Sequence, residues 1–331
     1  MNVALLSRWH VHANDYVREV LEHEQLTIGA VWDEEVDRGK AWADELGVPF
    51  EKDLGVILSN PDIDAVVVST PTNLHKEIIL AAAEKKKHIF TEKVLAFTNE
   101  DCEEIYNVVE KHGVELMVSL PRLTEKEFYY AEKALKENWL GTLTMVRCRL
   151  AHNGAVVPEG GTQGWLPDRF FNKEQAGGGS LIDLGAHPIY LTNRLAGTPN
   201  TVFSRLQQGA NSEVDESAAV IVEYESGVLG VLETSFLSHG SPFQLELYGT
   251  EGTLLCVDGE IRMKSIHHGH GKWFVLDEKV PSVPKPLEQW VAKIKSGIEP
   301  TITKTDVINL TKINDAAALS NFEGCRVTLS S

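Results

Sequence analysis

The stretch VALLSRWHVHANDYVREVLEHEQLTIGAVWD, Val3 to Asp33, decides the fold. Val3 to Leu6 is a short apolar run that reads as a buried strand, Asp15 to His23 carries a helical pattern, and Leu26 to Trp32 reads as a second strand. Strand and helix then keep alternating. A helix over Val36 to Leu46 is closed by Gly47, and a short helix is expected over Leu54 to Leu58. Further strands are expected over Ala65–Ser69, His88–Phe90 and Glu115–Ser119, with helices over Leu74–Lys86 and Glu100–His112. This spacing implies a doubly wound parallel sheet of the Rossmann type, an α/β architecture, over residues 1–120. Such sheets bind ligands at the carboxyl ends of their strands, which directs attention to Ser7–His12, Asp33, Thr70–His75 and Thr91–Val94.

After Pro121 the pattern changes. A helix over Glu125–Asn138 precedes a strand over Thr144–Leu150, and six short alternating runs between Thr201 and Leu276 are separated by turns such as Glu225-Ser226-Gly227 and Asp258-Gly259. Residues 121–331 therefore read as a second, α+β domain on a large open, mostly antiparallel sheet, ending in helices over Leu287–Ser296 and Asp306–Asn321. Val220-Ile221-Val222 and Val228–Leu232 put apolar side chains on both faces of that sheet, so a homodimer or homotetramer through it is expected.

Size and charge narrow the partners. A chain of 331 residues, 43% hydrophobic, buries a large core and suits two domains better than one. Its net charge of -17, from 48 acidic and 31 basic residues with no basic block, makes nucleic acid and anionic membranes poor partners. The N-terminal apolar run is too short for a signal-peptide core, and no stretch of about 18 apolar residues occurs, which gives a cytoplasmic expectation. Cys102, Cys148, Cys256 and Cys325 are scattered, so reduced thiols are expected rather than a disulfide framework or a zinc knuckle.

Several residues can carry chemistry. Gly177 to Tyr190 (GGGSLIDLGAHPIY) reads as a flexible loop feeding a helix with a leucine row at Leu181, Leu184, Leu191 and Leu195. Asp183 and His187 are four apart, the spacing of one helical face, where a carboxylate sets the tautomer and basicity of an imidazole; a capping Asp beside a structural His is the alternative, and Pro188 disfavours helical geometry at His187. Asp33 follows the second strand, where a carboxylate accepts from an adenosine ribose or, alternatively, caps the next helix. The G-x-G-x-x-G turn is missing: Ser7, Trp9 and His12 fall at its frame, and Trp9 is expected to hold a diphosphate off the backbone. His10 and His12 alternate around Val11 and would hold a metal only with a third ligand from elsewhere; with no neighbouring Cys or carboxylate, lining a cofactor cleft is the preferred role and no metal is expected. His267, His268 and His270 suit a solvated hairpin tip. Lys93, within Thr91-Glu92-Lys93-Val94, stands at the strand edge, where an ammonium stabilises a developing alkoxide or simply pairs with Glu92.

Thr70-Pro71-Thr72-Asn73-Leu74-His75, the Glu92-Lys93 pair, Gly177–His187 and Gly249-Thr250-Glu251-Gly252-Thr253 together resemble the glucose-fructose oxidoreductase and inositol dehydrogenase family (Gfo/Idh/MocA) over nearly the whole chain. The resemblance implies a Rossmann domain, a substrate domain and NAD(P)-dependent oxidation or reduction of a sugar, inositol or related polyol. It matches Lys93 to the lysine of the family's Glu-Lys-Pro motif, and Asp183 and His187 to the acid and base of the glycine-rich motif. Asp33 matches the ribose-binding acid; Thr70, Pro71, Asn73 and His75 match the loop beside the dinucleotide; Ser7, Trp9, His10, His12 and Glu92 would line the same cleft. Arg122 and Asn172 fall near positions that touch substrate. Asp33 favours NAD over NADP; Arg38 is the one nearby cation that could serve a 2'-phosphate, and Glu34, Glu35 and Asp37 surround it. Val94 replaces the motif proline, and because a cis bond before a non-proline costs about 3 kcal/mol, Lys93 is expected to be displaced. A ligand-binding or regulatory protein without redox chemistry, and a lyase or hydrolase using nicotinamide transiently, stay open as alternatives.

Overall fold

The computed structural model describes residues 1–209, 212–277 and 281–329, and these form two compact units. The first comprises Met1–Ser119 with Pro284–Thr303, the second Leu120–Val283 with Lys304–Ser331. The first unit begins β1 (Asn2–Leu6), α1 (Ala13–Glu22), β2 (Thr27–Trp32), α2 (Val36–Leu46), α3 (Leu54–Ser59), β3 (Ala65–Val68), α4 (His75–Glu84), β4 (His88–Thr91), α5 (Asn99–His112) and β5 (Leu116–Val118). All five strands pair in parallel in the order β2-β1-β3-β4-β5. Parallel strands lie between helices and read as continuous apolar runs, and Ala65–Val68 is buried at every residue. The order reverses at β1, so the carboxyl ends of β1 and β3 flank the switch point where ligands of this architecture bind. There the His10 amide donates to the Ser69 carbonyl at 3.0 Å.

The second unit contains α6 (Lys126–Lys136), β6 (Leu143–Ala151), α7 (Lys173–Ala176), α8 (Ala186–Ala196), β7 (Pro199–Gln208), β8 (Asp215–Tyr224), β9 (Leu229–Ser235), β10 (Gln244–Gly249), β11 (Gly252–Val257), β12 (Glu260–Ser265) and β13 (Phe274–Val275). Then α9 (Pro286–Ser296) returns to the first unit, where Trp290 packs on Phe90 with ring centroids 5.8 Å apart. α10 (Lys304–Glu323) and β14 (Val327–Thr328) complete the second. The division of the chain is thus not a single cut near 120, because an apolar face of α9, Leu287, Trp290 and Val291, is buried in the first unit.

The large sheet runs β13-β12-β11-β10-β6-β9-β8-β7-β14 and is antiparallel except where β6 meets β9. Period-two alternation sorts its faces: Val202, Val220 and Val222 are buried, whereas Phe203 and its cross-strand partner Ile221 are 44% and 43% exposed. α8 and α10 pack on β7, β6 and β9 and on each other.

Candidate active site

In the first unit the turn after β1 takes the backbone form a glycine would supply. Ser7 has φ +74°, in the left-handed region, and its Oγ accepts the Trp9 amide at 3.0 Å. Trp9, which follows it, is 4% exposed.

Asp33 lies just past β2 with its carboxylate buried. Oδ2 accepts the Arg8 amide at 2.9 Å and Arg38 Nε at 3.0 Å, while Oδ1 accepts the Glu35 amide at 2.8 Å and Arg38 Nη2 at 2.6 Å. Arg38 is itself bonded to Glu34 at 2.6 Å and Glu35 at 3.0 Å, so three carboxylates share one guanidinium.

After β3, Pro71 is buried and Asn73 exposed, and His75 opens α4 with its ring enclosed. His75 Nδ1 lies 3.0 Å from the Val94 carbonyl and Nε2 lies 3.2 Å from that of Thr70, which pins the two loops together. Burial lowers this imidazole to about 4, overriding the backbone groups it meets and the charge of Glu92, which favour the protonated ring. Thr70 Oγ1 is buried without a hydrogen-bond partner, a hydroxyl left over for a bound group.

Beyond β4, Glu92 and Lys93 are both buried. The Lys93–Val94 peptide is cis, so Val94 does not exclude the geometry that was expected to be lost with the motif proline. Glu92 Oε1 accepts the Lys93 amide at 3.0 Å. Its Oε2 receives the Tyr16 hydroxyl and lies 3.2 Å from His12 Nδ1 and 3.7 Å from His10 Nδ1. Burial opposes ionisation of Glu92, but the positive charge that His10, His12 and Lys93 can carry outweighs it and holds the carboxyl well below the usual range. The carboxylate partner that sequence spacing could not supply to His10 and His12 therefore comes from the residue just after β4.

In the second unit the glycine loop is built around a residue the sequence did not reveal. Asp215, buried at the start of β8, accepts the Gly179 amide at 3.0 Å, the Leu181 amide at 2.8 Å and the Ser180 hydroxyl at 2.8 Å. A Cβ on Gly179 would lie 1.9 Å from the Asp215 carbonyl oxygen, so only glycine fits. Asp183 does not share a regular helical face with His187. It lies in the turn before α8, which begins at Ala186 and so places Pro188 in the first turn, where a missing N–H costs nothing.

His187 Nδ1 lies 2.7 Å from Tyr190 Oη, which also accepts the Arg122 amide at 3.1 Å. Burial pushes the Tyr190 phenol well above its usual value, so it stays protonated. In the tautomer with the proton on Nδ1, His187 donates to Tyr190 and keeps a lone pair on Nε2 for a substrate proton. His152 is a second residue that spacing missed: it stacks on Phe236 with centroids 5.2 Å apart and meets Trp165 at 4.6 Å. Burial lowers its pKa, against the charge of Asp183. Trp165 is 58% exposed and offers an aromatic face. Arg122 pairs with Glu125 at 2.9 Å over the Phe243 ring, and Asn172 uses its Oδ1 to cap α7 through the Gln175 amide at 3.0 Å.

Two family models match this chain: residues 10–120 match one described as oxidoreductase family, NAD-binding Rossmann fold, and residues 128–255 match the GFO/IDH/MocA C-terminal domain. The chain is 24% identical over 292 residues to myo-inositol 2-dehydrogenase of Thermotoga maritima, covering 84% of this chain and 83% of the relative. It is 35% identical over 137 residues to 2,7-anhydro-N-acetylneuraminate hydratase of Mediterraneibacter gnavus, covering 41% of this chain and 36% of that one. A levoglucosan dehydrogenase solved with NADH and levoglucosan superimposes with a TM-score of 0.85 at 21% identity, covering 100% of this chain and 99% of the other. The first unit's residues fit a dinucleotide at two points, the left-handed Ser7 turn and the unpartnered Thr70 hydroxyl at the switch point; at Asp33, ribose hydroxyls must compete with Arg38.

Proposed function

The chain belongs to the GFO/IDH/MocA oxidoreductase family and carries its NAD-binding domain, and from that premise we propose that it catalyses reversible NAD-dependent oxidation of a secondary alcohol on a sugar, inositol or related polyol. The observation that carries the reading is His187: a buried imidazole with one nitrogen committed to Tyr190 and the other left for a substrate proton.

When bound, the nicotinamide supplies the hydride acceptor. The chain's part is proton handling and alignment. His187 Nε2 takes the hydroxyl proton, Tyr190 orients the ring through Nδ1, the Asp183 carboxylate adds negative charge that favours the protonated imidazole, and the Lys93 ammonium stabilises developing negative charge on the substrate oxygen. His152 and Trp165 offer an imidazole and a ring face to a polyol. The three acids around Arg38 neutralise it and repel a 2'-phosphate, which supports NAD over NADP.

The hydratase relative favours one second reading, a redox-neutral reaction in which hydride is taken up and returned. Incubating enzyme and NAD with a panel of inositols, aldoses and anhydrosugars tests both: absorbance of reduced nicotinamide that accumulates with turnover supports net oxidation, and product without that absorbance supports the second reading.

A further inference from the structure

We propose that His10, His12 and Glu92 form a binding site for one divalent transition metal of the zinc class, with a fourth coordination position open to an oxygen ligand. Two imidazoles and a carboxylate are a nitrogen and oxygen donor set that zinc accepts. One ligand atom from each residue lies within 4.8 Å of the others. The two donor separations to Glu92 Oε2, 3.2 Å from His12 and 3.7 Å from His10, bracket the edge of about 3.3 Å of a tetrahedron with zinc bonds of 2.0–2.1 Å.

The 3.7 Å approach is too long for a hydrogen bond. His10 Nδ1 also accepts the His12 amide at 3.2 Å, so in this arrangement that nitrogen presents a lone pair, the form in which an imidazole binds a metal. A cation between it and Glu92 Oε2 would be bonded by both, in competition with the long amide contact.

The carboxylate is also held in place as a ligand needs to be. The Lys93 amide fixes Oε1, the Tyr16 hydroxyl fixes Oε2, and Tyr16 is wedged edge-on against Phe90 at 5.2 Å. Glu92 and His10 are buried, whereas the His12 side chain is 37% exposed and leaves an entry path. The Lys93 ammonium acts on the same carboxylate and makes the site weaker than it would be without that neighbour. In doubly wound folds this turn is glycine-lined so that backbone reaches a diphosphate; here it presents two imidazoles. The inference does not depend on the dinucleotide reading.

The test is calorimetric titration of chelator-treated, full-length protein with Zn²⁺ alone, repeated with Co²⁺ followed by visible absorption. One equivalent of zinc should bind, and His12→Ala and Glu92→Gln should each weaken binding at least about tenfold. Removing the exposed His267 and His270 and the half-buried His268 side chains together (each to Ala) should leave that equivalent in place. Co²⁺ should give the intense visible bands of a four-coordinate site in the wild type and lose them in His12→Ala, a variant at a part-exposed position that serves even where Glu92→Gln does not fold. No zinc bound at micromolar concentration, wild-type affinity in the His12 variant, or loss of the equivalent in the His267/His268/His270 variant overturns the proposal. NADH affinity measured on the metal-free protein reports separately on the dinucleotide reading.

Discussion

The Arg38 guanidinium lies across the Asp33 carboxylate, with Nη2 2.6 Å from Oδ1 and Nε 3.0 Å from Oδ2. With the Arg8 and Glu35 amides on the same two oxygens, Asp33 has no acceptor capacity left, and an adenosine ribose has to displace Arg38 to be held by it. The cofactor preference therefore hangs on this pair. The wild type is expected to bind NAD more tightly than NADP, and Asp33→Ala, which releases Arg38 and removes one negative charge, is expected to narrow the gap. Each tenfold in the ratio of dissociation constants is about 1.4 kcal/mol. Wild-type preference for NADP, or a ratio indifferent to Asp33, contradicts the ribose role.

His187→Ala should lower kcat about 100-fold or more while leaving NAD affinity unchanged, the loss expected for a general base. Tyr190→Phe keeps the ring edge-on to His187 but removes the oxygen 2.7 Å from Nδ1. It should lower kcat less and displace the pH profile of kcat. An unshifted profile in Tyr190→Phe would show that His187 is not the group being titrated.

Gly179→Ala drives a methyl group against the Asp215 carbonyl, and Asp215→Ala leaves two buried amides and a hydroxyl without their acceptor. Each is expected to destabilise the second unit by about 2–4 kcal/mol, read from urea unfolding. Less than about 0.5 kcal/mol for both would mean the loop does not rest on Asp215.

His75 gives a pH signature. Its folded pKa, about 4, lies below the unfolded value near 6.5, so below pH 6.5 the unfolded chain gains a proton that the folded one refuses. Stability is fully present above pH 6.5 and falls as pH drops toward 4, by about 3 kcal/mol over the window. His75→Gln removes this component, so unfolding free energies of wild type and variant should converge as pH falls from 7 to 4. Parallel curves would remove His75 as the source.

The exposed Phe203–Ile221 pair on the outer sheet face, with Leu229 38% exposed, leads us to expect a homo-oligomer through that face. Sedimentation at micromolar concentration should show a dimer or tetramer, and Ile221→Lys should shift it toward monomer. A monomeric wild type contradicts this.

Most of the architecture was legible because period 2 and period 3.6 are local properties, and Val3–Leu6 or Ala65–Val68 need no distant context. The site was legible only in part. His10-x-His12 is visible in sequence, but Glu92 follows a strand and lies 80 residues beyond His12, joining the pair only through the order β1-β3-β4. Asp215 reaches the glycine loop across 36 residues, beyond any local pattern. The four-residue spacing of Asp183 and His187 misled because Pro188 fixes where α8 begins, so that the helical period does not extend back to Asp183. The Arg38 clasp on Asp33 follows from five residues' separation and opposite charge, yet whether the guanidinium faced a ligand or the acids beside it depended on side-chain geometry.

The most direct test of the central claim is a stopped-flow record of reduced nicotinamide at its absorbance maximum when enzyme and NAD meet an inositol, aldose or anhydrosugar substrate, run in parallel with His187→Ala. The wild type should give that signal, growing with turnover, and the variant should lose it while retaining NAD binding. Tight NAD binding with no reduced nicotinamide from any polyol, in a single turnover or in the steady state, would contradict that claim.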